Sequence, residues 1–230
     1  MKKVIDEPAY REKKFVFKDR LQAAEILADK LRECLDIGAG ARLLAVPSGG
    51  VPVGYAMARK LKVPFDVLVV RKIQVPWNKE AGFGAVTADG DVLLNEELIR
   101  NLGLGRETVE SSILRTREAV RARVRKFRGD EPFPELKGLD VLVVDDGLAS
   151  GFTMLAAVNC VRGRSPKNVI VAVPTASRSA VELLANHVDK LVCLNVRSGP
   201  FFAVADAYLD WYDLPDEEVM GYLAEIRGRS

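Results

Sequence analysis

The sequence predicts an α/β fold of three layers, in which helices cover both faces of a mostly parallel central sheet. Short apolar runs rich in β-branched residues alternate with stretches that carry apolar residues at helical spacing. The apolar runs are nearly continuous, which is typical of strands buried on both faces. The length of 230 residues and the 48% content of hydrophobic residues suit one domain with a sizeable core. We therefore expect a single domain over 1–230.

The first third of the chain predicts two alternations of strand and helix. Asp19 is a typical helix-capping residue, and apolar residues follow it at helical spacing until two glycines stop the pattern. Apolar runs at 43–46 and 65–70 are predicted strands. Between them we predict a loop at 47–52, which contains proline and glycine, and a helix at 53–61.

The middle of the chain interrupts this alternation. Residues 71–84 lack periodicity and contain a proline and two glycines, so we predict a long loop there. An Asp-Gly pair between 85–87 and 92–94 predicts a hairpin. Apolar residues at helical spacing, broken once by two glycines, predict a helical insertion over about 95–128.

The last third returns to strands and helices after a connector that contains two prolines. The predicted elements are a strand at 141–144, a helix ending near 162, a strand at 169–173, a helix at 177–185, a strand at 191–194 and a helix at 216–226. Residues from about 197 to 230 are therefore expected to form a small C-terminal segment that is mostly irregular and ends in a helix.

The most informative motif is the run Val-Leu-Val-Val-Asp-Asp-Gly-Leu-Ala-Ser-Gly-Phe-Thr at 141–153. Asp145 and Asp146 directly follow the buried strand, at the edge where open α/β sheets bind ligands. The loop at 149–153 leads into an apolar helix, so its backbone N–H groups and hydroxyls suit a phosphate. A ribose 5-phosphate fits such a site, because the acids can bind its hydroxyls and the backbone N–H groups can bind its phosphate. A plain turn followed by a helix cap is the alternative interpretation.

This run resembles the 5-phosphoribosyl 1-diphosphate (PRPP) motif of type I phosphoribosyltransferases, with serine at position 150 where threonine is usual. The resemblance implies that Asp145 and Asp146 hold the ribose hydroxyls, or the water ligands of a Mg²⁺ ion that accompanies PRPP. It also implies that the next loop holds the 5′-phosphate; the residues concerned are Ala149, Ser150, Gly151, Phe152 and Thr153. The expected reaction transfers the phosphoribosyl group to a nitrogenous base, and it releases pyrophosphate and a nucleoside 5′-monophosphate.

A second group of residues is expected to meet the pyrophosphate. A Pro-Ser-Gly-Gly turn lies between a predicted strand and helix, and its glycines let the backbone approach an anion closely. Two cations at the end of the next strand could meet the same group. In type I enzymes the corresponding loop binds pyrophosphate, so the candidates are Ser48, Gly49, Gly50, Arg71 and Lys72. An ordinary turn and a solvated strand end are the alternatives.

From about residue 20 to 225, the order of motifs is similar to that of a family of predicted phosphoribosyltransferases of unassigned substrate. Members of that family usually carry arginine where Ser48 stands. This loop therefore lacks a cation of its own, and Arg71 and Lys72 would have to compensate. The resemblance also implies that 73–84 is a flexible flap that closes over the substrates and excludes water.

The acceptor base is not defined by the sequence. In type I enzymes an irregular hood beside the core chooses the base, and residues from about 197 to 230 occupy that place. Phe201 and Phe202 could stack on a planar base, but packing of the tail is an equal alternative. Enzymes for 6-oxopurines often carry aspartate at the position of Ala149, so the resemblance speaks mildly against hypoxanthine and guanine.

Two other classes of function remain open from the sequence. The chain could be a binding module that senses PRPP without turning it over, which the cation-free loop around Ser48 favours. It could instead be an unrelated phosphatase or hydrolase that uses Asp145 as a nucleophile. Detection of an aspartyl-phosphate on Asp145 would favour that last class.

Composition limits the partners. The net charge of +2 does not demand nucleic acid, and we interpret the arginine-rich run at 115–128 as a solvated amphipathic helix. No apolar run reaches the length of a membrane span, and the first residues lack the apolar core of a signal peptide. Three scattered cysteines indicate a reducing compartment, so a cytoplasmic protein is expected. Relatives commonly form dimers, which leaves a homodimer open. The single histidine, His187, is expected to be structural.

Overall fold

The strands of the chain form two sheets in the computed structural model, which describes residues 3–38, 40–199 and 201–228. The strands are β1 (Val4–Asp6), β2 (Arg42–Ala45), β3 (Phe65–Val67), β4 (Val70–Val75), β5 (Asn78–Thr87), β6 (Val92–Leu94), β7 (Asp140–Val144), β8 (Asn168–Ser177) and β9 (Lys190–Arg197). The helices are α1 (Arg20–Cys34), α2 (Gly50–Leu61), α3 (Glu96–Asn101), α4 (Arg106–Arg128), α5 (Phe152–Arg162), α6 (Arg178–Ala185) and α7 (Asp216–Arg227). A short 3₁₀ helix spans Val204–Ala207.

Within the described residues, the main sheet has six strands in the order β1-β9-β8-β7-β2-β3, and all of its neighbours are parallel. Side chains on successive residues of β7 point to opposite faces, as the pleat requires. Leu142 and Val144 are buried with α1 and α2, whereas Val141 and Val143 are buried with α5 and α6. The predicted three-layer α/β fold with a mostly parallel sheet is therefore confirmed.

Local sequence explains where the helices of the two outer layers begin. The Asp19 side chain accepts a hydrogen bond from the backbone N–H of Gln22 at 2.8 Å, which caps α1 as the sequence predicts. Ser177 ends β8 and caps α6 by accepting a bond from the N–H of Ala180 at 3.0 Å. The glycine at 151 has a φ of +79°, a left-handed conformation that turns the chain into α5.

The second sheet corrects two predictions. The apolar run at 65–70 is not one strand, because β3 ends at Val67 and β4 starts a separate antiparallel sheet at Val70. The prediction of a loop at 71–84 is also wrong, because β4 and β5 form a hairpin across that segment. Its register shifts on either side of Gln74, which breaks the alternation that would have revealed a strand.

The other predicted elements appear with shifted ends. The hairpin between β5 and β6, the two helices of the insertion and the last helix are confirmed. Strands β8 and β9 extend beyond their apolar centres, and α2 starts at Gly50 rather than at Val53. Strand β1, with only three residues, was not predicted; it pairs with β9 at the edge of the main sheet.

The C-terminal segment packs against the start of α1 and the main sheet. Tyr208 is 1% exposed, and its ring centroid lies 5.8 Å from that of Phe17. The backbone N–H of Phe17 donates to the carbonyl of Ala207 at 3.0 Å. Across the described ranges, the helices are too short or too polar to span a membrane.

Candidate functional site

A cavity of about 510 Å³ lies at the carboxyl edge of the main sheet. It is bounded by the loops that follow β2 and β7, the start of α5, residues of the β4–β5 hairpin and single residues from α3 and the 3₁₀ helix. Its lining comprises Val46, Pro47, Ser48, Gly49, Lys72, Ala81, Gly82, Gly84, Leu98, Asp145, Gly147, Leu148, Ala149, Ser150, Gly151, Phe152, Thr153, Met154 and Val204. This is the edge at which parallel α/β sheets bind ligands.

The two carboxylates after β7 have different surroundings. Asp145 lines the cavity, and its Oδ1 accepts a hydrogen bond from the N–H of Asp146 at 2.9 Å. Asp146 is buried, and its Oδ2 accepts from the Nε of Arg20 at 2.9 Å. It is not among the residues that line the cavity. The structure therefore brings Asp145 to the cavity and ties Asp146 to α1.

Burial governs the protonation of both acids. The pKa of Asp145 is raised well above its ordinary value by burial, and the charge of Asp146 raises it further. Burial also raises the pKa of Asp146, although the guanidinium of Arg20 opposes that effect. Two adjacent carboxylates at one strand end thus make a locally costly concentration of negative charge, which a cationic or hydroxyl-bearing ligand would relieve.

Arg20 is a site residue that the sequence analysis missed. Its side chain is 7% exposed, and its Nη1 donates to the carbonyl of Tyr212 at 3.0 Å. Its guanidinium carbon lies 3.9 Å from the centre of the Trp211 ring, a cation–π arrangement. The hydroxyl of Tyr208 donates to the backbone carbonyl of Asp146 at 2.5 Å. The C-terminal segment, through Tyr208, Trp211 and Tyr212, therefore holds Asp146 and its partner Arg20 in place.

The loop at 149–153 is anchored to β8 and leaves part of its surface exposed. The hydroxyl of Ser177 donates to the carbonyl of Ala149 at 2.6 Å, and the N–H of Leu148 donates to the carbonyl of Thr175 at 3.0 Å. Ala149 and Ser150 are exposed at the cavity. The first N–H groups of α5 have no partners within the helix, so this loop presents donors to the cavity.

The loop at 47–50 passes directly over the acid pair. A side chain on Gly49 would collide with the carboxylate of Asp146, and a Cβ on Gly50 would lie 2.8 Å from the carbonyl of Val144. These two glycines are therefore required by close approach of the loop to the tip of β7. Of the three residues that the sequence selects in this turn, Ser48 and Gly49 line the cavity, whereas Gly50 begins α2 and does not line it.

Only one of the two predicted cations of β4 lines the cavity at the edge of the main sheet. Lys72 lines the cavity that contains Asp145. Arg71 does not line it; both residues line a neighbouring cavity of about 570 Å³ between the hairpin and α4. The pKa of Arg71 is lowered, first by burial and then by the nearby charge of Arg123.

The interpretation of the arginine-rich run at 115–128, which lies on α4, needs correction at two positions. Arg121 and Arg125 are exposed, as expected for a solvated face. Arg128 is instead buried and forms an ion pair with Asp66, and the Nη2 of Arg123 donates to the hydroxyl of Ser48 at 2.7 Å. The interpretation as a wholly solvated face is therefore wrong at these two positions.

The structure does not bring the candidate base-stacking residues to the cavity. Phe201 is 89% exposed, and the ring of Phe202 lies 5.1 Å from the guanidinium carbon of Arg197. Several apolar side chains on the cavity wall belong to residues that the sequence analysis did not select, among them Leu98, Met154 and Val204. Their selection would have required the tertiary arrangement, because each lies on a different element.

The residues described include no group of three or more histidine, cysteine, aspartate or glutamate side chains able to hold a metal ion. Mg²⁺ needs no such group, because it usually keeps several waters and binds one or two carboxylates together with substrate phosphates. Asp145, half-buried at the cavity, fits that pattern as an oxygen donor.

A parallel α/β sheet with acids at one strand tip, a glycine loop at the next and donors at a helix start defines the type I phosphoribosyltransferase class. The chain belongs to the phosphoribosyl transferase domain family, whose model matches residues 19–210. The crystal structure of TT1426 from Thermus thermophilus is similar, with a TM-score of 0.74 and 38% identity over 91% of this chain and 98% of that one.

Two proteins of Mycobacterium tuberculosis are also similar. They are named "Putative phosphoribosyl transferase MT0597" (strain CDC 1551 / Oshkosh) and "Putative phosphoribosyl transferase Rv0571c" (strain ATCC 25618 / H37Rv). Each is 34% identical over 208 residues, which is 90% of this chain. The chain spans only 46% of the length of these relatives.

Proposed function

We propose that this protein transfers the phosphoribosyl group of PRPP to a nitrogenous base in the presence of Mg²⁺. The products are pyrophosphate and a nucleoside 5′-monophosphate. The observation that carries the proposal is that one cavity, of about 510 Å³, is lined by a carboxylate at a strand end, a glycine turn and a loop at a helix start. These groups match, in turn, the ribose hydroxyls, the pyrophosphate and the 5′-phosphate of PRPP.

Each part of the cavity has one task in this reaction. Asp145 accepts hydrogen bonds from the ribose hydroxyls, and the loop at 149–153 binds the 5′-phosphate through backbone N–H groups and hydroxyls. Lys72 and the loop at 48–50 meet the pyrophosphate. As the bond from the anomeric carbon to pyrophosphate breaks, positive charge grows on the sugar, and the carboxylate of Asp145 favours that charge.

Positioning accounts for most of the expected rate enhancement. The protein holds both phosphate ends of PRPP, which fixes the anomeric carbon in front of the incoming nitrogen of the base. Asp145, and Asp146 through water, would hold a Mg²⁺ ion, which would supply charge to neutralise part of the pyrophosphate. No catalytic histidine or cysteine is required.

Asp146 acts in this proposal mainly as a positioning residue. Its carboxylate is held by Arg20 and lies against Gly49, so it fixes the distance between the tip of β7 and the glycine turn. Its backbone N–H also holds the carboxylate of Asp145. We propose further that the reaction serves nucleotide metabolism in the cytoplasm, where buried thiols such as Cys193 stay reduced.

The test is a calorimetric titration with Mg-PRPP followed by a screen of bases for pyrophosphate release. The expected result is saturable PRPP binding, and turnover with one class of base. The matched variant is Asp145→Asn with Asp146→Asn, which should lose PRPP binding while remaining folded. Unchanged PRPP affinity in that folded variant would refute the assignment of this site.

A second candidate function is a PRPP sensor without turnover. The loop at 47–50 carries no cation, and this observation favours it, because tight binding of a departing pyrophosphate needs positive charge. PRPP binding without pyrophosphate release for any base in the screen would support the sensor.

A further inference from the structure

The glycine turn receives a cation from a distant helix. Arg123 lies on α4, 75 residues after Ser48, and its Nη2 donates to the serine hydroxyl at 2.7 Å. The same nitrogen donates to Oδ1 of Asp216 at 2.7 Å, at the start of α7. The guanidinium is therefore held against the turn by two contacts that both use one nitrogen.

The remaining donors of Arg123 are uncommitted. A guanidinium has five N–H groups, and the Nε and Nη1 groups of Arg123 have no acceptor among the residues that the structure describes. Its side chain is 21% exposed, and the residue whose hydroxyl it contacts, Ser48, lines the cavity. Arginine in this arrangement can bind a phosphate with two parallel hydrogen bonds.

The surroundings of Arg123 carry excess positive charge. Asp216 is shared between Arg123 and Lys126, whose Nζ lies 3.0 Å from Oδ2. Arg71 is close enough for Arg123 to lower its pKa, and Arg71 has no ion-pair partner within the described ranges. Lys126 also pairs with Glu217 at 3.5 Å, so two carboxylates face three cations. The cluster keeps a net positive charge that an anion would balance.

We infer that Arg123 binds the pyrophosphate end of the substrate, so that a helix outside the glycine turn supplies the charge that the turn lacks. The inference rests on the proposed function and identifies a further binding residue for it. Ser48 then acts as a positioning residue, because its hydroxyl fixes the guanidinium over the turn. Arg71 is near Arg123 and adds charge to the same end of the site.

The experiment compares two ligands on four variants. Mg-pyrophosphate and ribose 5-phosphate are titrated separately by calorimetry into the full chain, because they occupy opposite ends of the proposed site. Arg123→Ala should weaken pyrophosphate binding by about 10- to 100-fold, the usual effect of losing a charged hydrogen bond. Its affinity for ribose 5-phosphate should stay within about twofold of that of the unchanged chain.

Two matched controls separate binding from structure. Arg121→Ala removes an exposed arginine from the same helix and should leave both affinities unchanged. Asp216→Asn breaks the same tie between α4 and α7 but keeps the guanidinium, so it should bind pyrophosphate at least as tightly as the unchanged chain. Equal losses of pyrophosphate affinity in Asp216→Asn and Arg123→Ala would overturn the inference, because the role of Arg123 would then be structural.

The fourth variant tests whether a guanidinium on the turn itself can replace that of Arg123. Ser48→Arg combined with Arg123→Ala places the guanidinium on the turn itself and should restore pyrophosphate binding. Unchanged pyrophosphate affinity in Arg123→Ala would also overturn the inference. If the unchanged chain binds neither ligand, the proposed function fails; if it binds ribose 5-phosphate but not pyrophosphate, only the present inference fails.

Discussion

At the scale of single residues, two arginines occupy apolar positions of their helices, and both contact the candidate site. Arg20 lies seven residues before the buried Leu27, which places both on one face of α1. Arg123 follows the buried Val120 by three residues and precedes the buried Phe127 by four. A charge on an apolar face needs a partner, so this spacing is a sequence signal for a buried ion pair or a site.

The ion pair between Arg20 and Asp146 makes a direct prediction about stability. Arg20→Met should lower the free energy of unfolding by about 3–5 kcal/mol, because it leaves the buried carboxylate of Asp146 without its counter-charge. Urea unfolding at neutral pH measures the change. Adding Asp146→Asn should recover part of the loss.

The control for that prediction is the exposed pair of Arg11 and Asp6. Arg11 is 49% exposed, so Arg11→Met should cost at most about 1 kcal/mol. A similar cost for Arg20→Met and Arg11→Met would contradict the claim that the ion pair between Arg20 and Asp146 is shielded from solvent.

The carboxylate of Asp145 should destabilise the folded state, because burial and the neighbouring Asp146 disfavour its charge. Its pKa in the folded state is raised by burial and by Asp146, so the folded chain holds the proton at pH values where the unfolded chain has released it. Stability should therefore fall as pH rises from about 4, the ordinary range of aspartate, through the raised value. Asp145→Asn removes this loss and should raise the free energy of unfolding at neutral pH by about 1 kcal/mol.

Thermal unfolding of both chains as a function of pH measures this effect. The difference between Asp145→Asn and the unchanged chain should grow with pH through that window and then level off. The same variant should lose Mg-PRPP binding. A variant that is less stable than the unchanged chain at neutral pH would show that the carboxylate is satisfied in the folded state.

At the scale of elements, the sequence predicts best what depends on near neighbours. The strand before Asp145 could be found because a continuous apolar run, two acids and a helix start follow one another without interruption. The β4–β5 hairpin could not, because its register shifts and its glycines imitate a loop. Gly84 is in fact required by the sheet, since a side chain there would press on the carbonyl of Leu93 in β6.

Contacts between distant elements lie beyond sequence reasoning of this kind. The arginine that contacts the glycine turn is on α4, and the contacts that hold Asp146 come from α1 and the C-terminal segment. Each residue was visible in the sequence, but nothing local pairs Ser48 with Arg123. The pairing depends on how the hairpin sets α4 against the sheet.

The close approach of the loop before α2 to the tip of β7 predicts the effect of adding one methyl group. Gly49→Ala would drive a Cβ into the carboxylate of Asp146, so we expect a loss of about 1–3 kcal/mol in the free energy of unfolding and weaker binding of PRPP. Gly221→Ala is the matched control, since a Cβ at that position in α7 meets nothing within 4 Å. It should increase stability by about 0.5–1 kcal/mol through helix propensity.

Chemical unfolding measures both glycine variants under the same conditions. The sign of the change should differ between them, because one methyl group meets a carboxylate and the other meets solvent. If Gly49→Ala has the stability and PRPP affinity of the unchanged chain, the loop does not press on the acid pair as described.

At the scale of the whole molecule, the cavity joins segments that are far apart in the chain. Its wall combines the turn after β2, the hairpin, the tip of β7, the start of α5 and the 3₁₀ helix of the tail. The main sheet fixes the first, third and fourth of these, whereas the hairpin belongs to a separate sheet. A ligand that contacts both sheets should therefore stabilise their arrangement as a unit.

This arrangement predicts a large thermal shift on binding. At about 100 times its Kd, Mg-PRPP should add about 2.7 kcal/mol to the free energy of unfolding, which for a chain of this length corresponds to a rise of roughly 5–10 °C in Tm. Ribose 5-phosphate lacks the pyrophosphate and should give a smaller rise at equal concentration. Asp145→Asn should show no rise with either ligand, although it starts from a higher Tm. An unchanged Tm of the parent chain with Mg-PRPP in excess would mean that the cavity does not bind this sugar phosphate.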